Sequence, residues 1–111
     1  LQALTQARLA AGQAWLERAD SQHWFIQVLG LPAEQRSRIE DLLRNPALNE
    51  NDLDNIRVYY SELSGQPRYG LIYGDYPTQE AALTALRQLP PALKAAKPYP
   101  RQVMKLRPGQ G

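Results

Sequence analysis

The sequence predicts an α+β domain: a four-stranded antiparallel sheet with two helices on one face, plus an added N-terminal helix. Two observations predict this class. Four short segments rich in β-branched and aromatic residues alternate with helical segments, in the order βαββαβ from residue 22 onward. The 111 residues, with 43% apolar and 22% charged side chains, suit one soluble domain with a single modest core.

The first helix is predicted over residues 3–19, and its apolar residues fall on two sides. The main stripe contains Leu4, Ala7, Ala11, Ala14 and Trp15. Leu9 and Leu16 lie on nearly the opposite side. A helix with two apolar sides usually packs on its own domain with one side and contacts another surface with the other. The alternative is that its second stripe is only a partly exposed edge.

The first strand and the first core helix have clear end signals. The strand "HWFIQVL" (23–29) is predicted to end at Gly30 and Pro32. A helix over 33–44 follows and ends at Asn45–Pro46.

The second half of the fold begins with a hairpin. Strands over 56–63 and 68–76 flank the turn sequence "SGQP". Thr78 is the predicted N-cap of the second core helix, which Pro90–Pro91 ends, and the last strand is predicted over 101–106. The first and third strands are then central, in a ferredoxin or RNP-like arrangement. The sheet face without helices is left open as a binding surface.

Alternation along the strands assigns side chains to the two faces. We place the bulkier, more apolar set against the helices: Trp24, Ile26, Val28, Val58, Tyr60, Tyr69, Leu71 and Tyr73. The predicted hairpin pairing sets Leu63 opposite Arg68 and Tyr59 opposite Ile72. The open face then carries Phe25, Gln27, Leu29, Arg57, Tyr59, Ser61, Leu63, Arg68, Gly70 and Ile72.

Gln27 is the polar residue that most restricts the choice of faces. Burying its amide without partners would cost about 1–3 kcal/mol, so we predict that it faces outward. Its neighbours there are Phe25 and Leu29, with Gly70 across the sheet. An amide beside apolar surface suits a sugar, whose hydroxyl and N-acetyl groups it can bond. The alternative is an amide on a solvated face that is satisfied by water.

Three segments together resemble the SPOR (sporulation-related repeat) domain family. They are "WFIQVLG", "DLDNIRVYYSELSGQPRYGLIYGDYPTQEAALTALRQLP" and "KPYPRQVMKL", and the resemblance covers residues 22–107. The chain most resembles the DamX-like branch of bacterial cell-division proteins. Residues 1–21 lie outside the family pattern. They are interpreted as an added helix on the domain's edge or as the end of a linker.

The resemblance implies a function as well as a fold. SPOR domains bind septal peptidoglycan without catalysis, and they prefer "denuded" glycan strands that have lost their stem peptides. The glycan lies on the open sheet face. The family usually forms the periplasmic C-terminal domain of a single-pass inner-membrane protein. We therefore expect a monomeric domain that needs no cofactor, binds no nucleic acid, and has division proteins as further partners.

The resemblance also suggests site residues. The family's first-strand glutamine matches Gln27. Gly30 stands where the family has a serine-like residue, and Arg68 stands where it has an aromatic residue, often tryptophan. Tyr59 is our candidate for a replacement aromatic surface. The predicted glycan-binding set is Phe25, Gln27, Leu29, Gly30, Tyr59, Ser61, Arg68, Gly70 and Ile72.

Two other binding functions are alternatives. RNA-recognition modules share this topology, and fold alone does not fix function. Such modules interleave aromatic and basic residues on the central strands, whereas Tyr69 and Tyr73 are predicted to point into the core. A net charge of +2 also argues against strong non-specific binding of nucleic acid. The second alternative is a protein-interaction module that uses the N-terminal helix.

An enzyme is the least supported class. His23 is the sole histidine and has no evident nucleophile or metal-ligand companion. A glycosidase would need two carboxylates set across a sugar, and the candidates are Asp41, Asp52, Asp54 and Glu62. The lack of cysteine excludes disulfides and thiolate metal sites.

The ends of the chain indicate a piece of a longer protein. It begins at Leu1 rather than Met, and no signal-peptide pattern opens it. No run of about 18 apolar residues predicts a membrane span, so membrane attachment would come from a segment of the parent protein. Pro108–Gly111 is predicted to be a disordered tail.

Overall fold

The computed structural model describes residues 1–108 and confirms the predicted class and topology. Within that range the helices are Ala3–Arg18 (α1), Ser37–Leu43 (α2), Glu50–Asn55 (α3), Gln79–Arg87 (α4) and Pro91–Lys94 (α5). The strands are Trp24–Pro32 (β1), Ile56–Ser61 (β2), Arg68–Tyr76 (β3) and Tyr99–Gln102 (β4), with 3-10 segments at Ala33–Gln35 and Val103–Leu106. Residues 109–111 of the predicted tail lie outside the described residues. Across residues 1–108, no helix combines the length and apolar character that a membrane crossing requires.

The sheet has the strand order β2-β3-β1-β4 and is antiparallel throughout. As predicted, β1 and β3 are the central strands. Thr78 caps α4 as predicted, because its side chain accepts a 3.1 Å hydrogen bond from the Ala81 backbone N–H. Helix α3 was not predicted. Asn49 and Asp52 form a capping box there, each side chain accepting from the other's backbone N–H.

The main core lies between the sheet and the helices α2 and α4. We call it the helix-side core. It holds Ile26, Val28 and Leu31 from β1, as well as Val58 and Leu71, which confirms the predicted inward face for those strands. Its other buried members are Ile39, Leu43, Leu48, Ile56, Leu89 and Leu93. Trp24, which was also predicted to point inward, is half-buried and belongs to neither core cluster.

A second core covers part of the face that the sequence predicts to be open. We call it the α1-side core. Trp15 of α1 meets Phe25 edge-on, with ring centroids 5.7 Å apart, and Ile72, Val103 and Leu106 complete the cluster with Ala19. Phe25 and Ile72 are 0% exposed. The prediction of a wholly open sheet face is therefore wrong, because α1 and the Val103–Leu106 segment cover its apolar part.

Helix α1 reaches this position by crossing the edge strand β2. A Cβ atom on Gly12 would stand 2.0 Å from the carbonyl oxygen of Val58, so the helix backbone lies directly against the strand backbone. Arg8 donates 3.0 Å hydrogen bonds to the carbonyls of Leu53 and Ile56. The helix thus covers a strand edge that would otherwise be open to pairing with another chain.

Both ends of α1 are held by distant charges of the sign that suits the helix dipole. At the N-terminal end, the Thr5 backbone N–H and hydroxyl donate to the Glu40 carboxylate at 2.8 and 2.9 Å. At the C-terminal end, the Arg107 guanidinium donates to the carbonyls of Leu16 and Ala19 at 2.7 and 2.6 Å. Helix α1 is therefore attached to the rest of the fold at both of its ends.

The buried stripe of α1 differs from the predicted one. Thr5, Gly12 and Trp15 are buried, with Leu9 and Leu16 packed against the two cores, whereas Leu4 is 38% exposed. The predicted main stripe is therefore wrong except for Trp15. A small residue at position 12 decides the packing, because it allows the close approach to β2. The pattern of apolar side chains along a helix does not reveal such a close backbone contact.

The hairpin register is two residues from the predicted one. Ser61 pairs with Arg68 and Tyr59 with Gly70, because β2 ends at Ser61 and the turn is longer than expected. A shift of two keeps every residue on its predicted face. Tyr60 was expected to be buried but is 46% exposed, since it lies at the end of the strand against Tyr69.

A bulge in β1 changes the face of Leu29. Gln27 pairs with Ile72 and Leu29 with Leu71, so Val28 is an additional residue on β1. Leu29 consequently packs on the helix-side core, and its predicted place on the open face is wrong. Strict alternation resumes beyond the bulge, and Gly30 pairs with Gly70.

Candidate ligand-binding groove

The uncovered part of the second sheet face forms a groove beside the α1-side core. A cavity of about 450 Å³ is lined by residues that include Gln27, Gly30, Tyr59, Lys97 and Tyr99. An adjoining cavity of about 190 Å³ is lined by Ser61, Leu63 and Lys105, among others. Tyr59, Arg68 and Arg101 line both cavities. We call the two together the sheet groove.

Gln27 lies on the floor of the sheet groove and is only 4% exposed. Its side-chain oxygen accepts from the Tyr59 hydroxyl at 3.1 Å and from Arg101 Nη1 at 3.0 Å. Arg101 Nη1 also donates to the Tyr59 hydroxyl at 3.0 Å. The Gln27 side-chain nitrogen donates to the Leu29 carbonyl at 2.9 Å. These partners fix the orientation of the amide, which is neither unpaired nor fully solvated.

Two glycines shape the floor of the groove. A Cβ atom on Gly70 would stand 2.2 Å from atoms of the Tyr59 ring, so the ring lies directly over this glycine. Tyr59, on the edge strand β2, thereby reaches across β3 to Gln27 on β1. Gly30 leaves more room, because a Cβ there would lie 3.6 Å from Gln27 Nε2 and 3.9 Å from Arg68 Nη2.

The electrostatic character of the sheet groove is cationic. Within residues 1–108, its lining carries Arg68, Lys97, Arg101 and Lys105 and no carboxylate. Two other cavities lie against α1 and mix charges of both signs. One of about 320 Å³ includes Glu34 and Arg36, and one of about 200 Å³ includes Arg8, Glu50 and Asp54. The sheet groove therefore differs from these two cavities, because its charged lining residues are all cationic.

The predicted site residues divide into two groups. Gln27, Gly30, Tyr59, Ser61 and Arg68 line the sheet groove, and Gly70 lies beneath the Tyr59 ring. Phe25 and Ile72 support the groove from the α1-side core without being exposed in it. Leu29 also lines the sheet groove, where its carbonyl accepts from the Gln27 amide, while its side chain packs against the helix-side core.

Sequence reasoning missed the contribution of the last part of the chain. Arg101 pairs with Phe25 across β1 and β4, which directs its side chain to the groove face. The predicted strand over 101–106 is in fact Tyr99–Gln102 followed by a 3-10 turn. Correct alternation in "YPRQ" would have placed Tyr99 and Arg101 together on one face. No comparable local signal existed for Lys97, which lies in a loop with φ of 58°.

The candidate catalytic groups do not meet in the groove. His23 Nδ1 lies 2.7 Å from Asp75, and Asp75 also accepts a 2.8 Å hydrogen bond from Trp15 Nε1. Asp52 belongs to the capping box of α3, and Glu62 accepts from the Tyr60 hydroxyl. Among the described residues, no cluster of three or more His, Cys, Asp or Glu side chains is arranged to hold a metal ion.

Fold and site together define a small α+β domain with a preformed, cationic, hydrogen-bonding groove on its sheet. A scan against protein-family models finds no match. The chain is 28% identical over 95 residues to the cell division protein DamX of Serratia marcescens. The alignment covers 86% of this chain and 41% of that protein, so the chain spans about two fifths of the length of the curated relative it matches.

Proposed function

We propose that this chain is a SPOR-like domain that binds the glycan strands of septal peptidoglycan through the sheet groove. Binding is non-catalytic and needs no cofactor. It serves to bring a longer parent protein to the division site. The observation that carries the proposal is Gln27. It lies on the groove floor, and its amide is oriented by Tyr59, Arg101 and the Leu29 carbonyl.

The shape and chemistry of the groove suit a sugar polymer. Two adjoining cavities make an elongated site, as a strand of linked sugars requires. Tyr99, 53% exposed, and the Tyr59 ring offer flat apolar surface for the C–H faces of the sugars. Gln27 Nε2 carries two hydrogens and uses one on Leu29, so the other remains for a hydroxyl or N-acetyl oxygen.

The similarity to a named cell-division protein supports the biological setting. On this proposal the domain acts in the periplasm, with the parent protein attached to the inner membrane through another segment. Other division proteins remain proposed partners. Helix α1 serves mainly to complete the domain, since Leu9 and Leu16 pack on its own two cores.

A sedimentation assay with purified peptidoglycan sacculi tests the proposal. Sacculi treated with an amidase, which removes stem peptides, should retain more of the domain than untreated sacculi. The variants Gln27→Ala and Arg68→Ala should lose binding while keeping the circular dichroism spectrum of the wild type. Arg87→Ala, an exposed cation on α4 away from the groove, is the matched control and should bind normally. Absence of binding to both preparations would contradict the proposal.

A further inference from the structure

We infer that the sheet groove recognises the free carboxylate that peptide removal leaves on each muramic acid residue of the glycan. The inference rests on the proposed function and goes beyond it. It names the chemical group by which the groove distinguishes a stripped strand from one that still bears peptides. Three features of the groove support it: its hydrogen-bond donors, its charge and the free edge of Arg101.

The sheet groove offers hydrogen-bond donors and few acceptors. The Gln27 oxygen is already occupied by Tyr59 and Arg101, and the Tyr59 hydroxyl already accepts from Arg101. The groups left for a ligand include the second N–H of Gln27 and four cationic side chains within residues 1–108, alongside the hydroxyls of Tyr99 and Ser61. A surface of this kind matches a ligand that accepts hydrogen bonds, and a carboxylate is the strongest such acceptor in a glycan.

The groove is much more positively charged than the chain as a whole. The chain has 13 Lys and Arg residues against 11 Asp and Glu, a net charge of only +2. Yet Arg68, Lys97, Arg101 and Lys105 line the groove together, and no carboxylate of residues 1–108 lines it with them. A neutral sugar would not require this arrangement. A polymer with one carboxylate per disaccharide matches it along its length.

Arg101 is the residue best placed to contact a carboxylate. Its Nη1 is held by Gln27 and Tyr59, which positions the guanidinium at the groove. Within residues 1–108, Nε and Nη2 of Arg101 make no hydrogen bond to protein, which leaves one edge of the planar fork for a ligand. Such an edge binds both oxygens of a carboxylate at once. Arg68, beside Gly30, can contact the same group or its neighbour along the strand.

The chemistry of peptide removal supplies the selectivity. In an intact strand the lactoyl group of muramic acid is a neutral amide joined to the stem peptide. Hydrolysis of that amide adds water across the C–N bond, releases the peptide amine and leaves a carboxylate on the sugar. The groove therefore gains an anion to bind at the same step that removes the bulk of the peptide.

The test separates charge from bulk with three soluble ligands of equal length. They are denuded strands with free carboxylates, the same strands with each carboxylate converted to a neutral N-methylamide, and chitin oligosaccharides that lack the lactoyl group. Isothermal titration with the full chain should show the free-acid strands binding at least about tenfold more tightly than the methylamides, as expected for a hydrogen bond between charged groups. Their affinity should also fall as salt increases.

Variants identify the residues responsible. Arg101→Gln should reduce the preference for free-acid over methylamide strands to near unity. Lys105→Gln, at an exposed groove position outside the Gln27 network, gives a second variant whose folding is not in question and should reduce the preference partly. Arg87→Gln on α4 should leave it unchanged.

The outcomes of the titration are distinct. Equal affinity for free-acid and methylamide strands would overturn the inference and leave glycan binding intact. No binding to any of the three ligands would overturn the proposed function as well. Tighter binding of single-stranded RNA than of free-acid glycan would show that the cationic groove serves a different polymer.

Discussion

The hydroxyl of Tyr59 donates a 3.1 Å hydrogen bond to the side-chain oxygen of Gln27, across the intervening strand β3. The reach is possible because Gly70 of β3 has no side chain beneath the Tyr59 ring. The edge strand β2 therefore helps to orient an amide on the central strand β1. Contacts between side chains of three strands thus form the sheet groove. Substitutions in the groove should therefore affect ligand binding, whereas substitutions in the cores should affect stability.

Gly70→Ala is expected to abolish glycan binding. The added Cβ would stand 2.2 Å from the Tyr59 ring and displace it, so Gln27 and Arg101 would lose a partner. Gly30→Ala is the matched control for stability, because its Cβ would meet only ordinary contacts at 3.6 and 3.9 Å. We expect Gly30→Ala to change the free energy of unfolding by no more than about 0.5 kcal/mol. Denaturant unfolding and sacculus sedimentation measure stability and binding, and wild-type binding by Gly70→Ala would contradict the geometry.

Tyr59→Phe isolates the hydroxyl from the ring. The ring can still cover Gly70, but one hydrogen bond to Gln27 and one from Arg101 disappear. We expect glycan affinity to fall by roughly three- to tenfold, the value of about one net hydrogen bond. Tyr60→Phe, which removes a neighbouring hydroxyl bonded to Glu62, should leave affinity unchanged. A titration of both variants with denuded strands measures the two affinities, and an unchanged affinity for Tyr59→Phe would contradict the prediction.

Gly12→Ala should destabilise the domain, although alanine ordinarily favours a helix over glycine. The new methyl group would stand 2.0 Å from the Val58 carbonyl oxygen, and neither backbone can yield easily. A loss of about 1–3 kcal/mol in the free energy of unfolding is expected from such overpacking. Gln13→Ala, on the exposed side of the same helix, is the control and should be neutral or slightly stabilising. Stabilisation by Gly12→Ala would mean that α1 does not cross β2 at this contact.

Glu40 should make the attachment of α1 sensitive to acid. Burial raises the pKa of this carboxyl, but the hydrogen bonds from Thr5 and the nearby Arg44 guanidinium outweigh it and hold the pKa below its usual value of 4.5. Since the folded-state pKa is the lower one, the contribution to stability is complete above pH 4.5 and is lost as the pH falls through the folded-state value.

Unfolding of wild type and Glu40→Gln at a series of pH values measures this effect. The wild type should be the more stable of the two near neutrality, and the difference should shrink as the pH falls below 4.5. Glu34→Gln, at an exposed carboxylate near the start of α1, controls for the general effect of acid. Parallel curves for wild type and Glu40→Gln would show that the carboxylate does not hold the helix.

Local sequence signals predicted the fold because they are short-range. The alternation in β1 and β3 and the Thr78 cap depend on neighbours within a few residues. The capping box between Asn49 and Asp52 is equally local, and the missed helix α3 was within reach of the same reasoning.

The packing of α1 could not be predicted in this way. Its buried stripe depends on the contact of Gly12 with Val58, which lies 46 residues further along the chain. The bulge at Val28 is another such case, since it becomes visible only when β1 is paired with β3. These two features explain why Phe25 and Ile72 are buried and why Leu29 faces the other core. Gln27, Tyr59 and Arg68 were nevertheless placed on the correct face of the sheet, because they lie on the same side in the predicted and the observed register.

A titration of the isotopically labelled domain with denuded glycan strands, followed by NMR, tests the central claim most directly. We predict that the side-chain amide signals of Gln27 and the guanidinium Nε signals of Arg101 and Arg68 shift in a saturable way. Signals from α2 and α4, on the far side of the sheet, should stay in place. Saturable shifts confined to α1 or to the helix face, with the Gln27 amide unchanged, would contradict it.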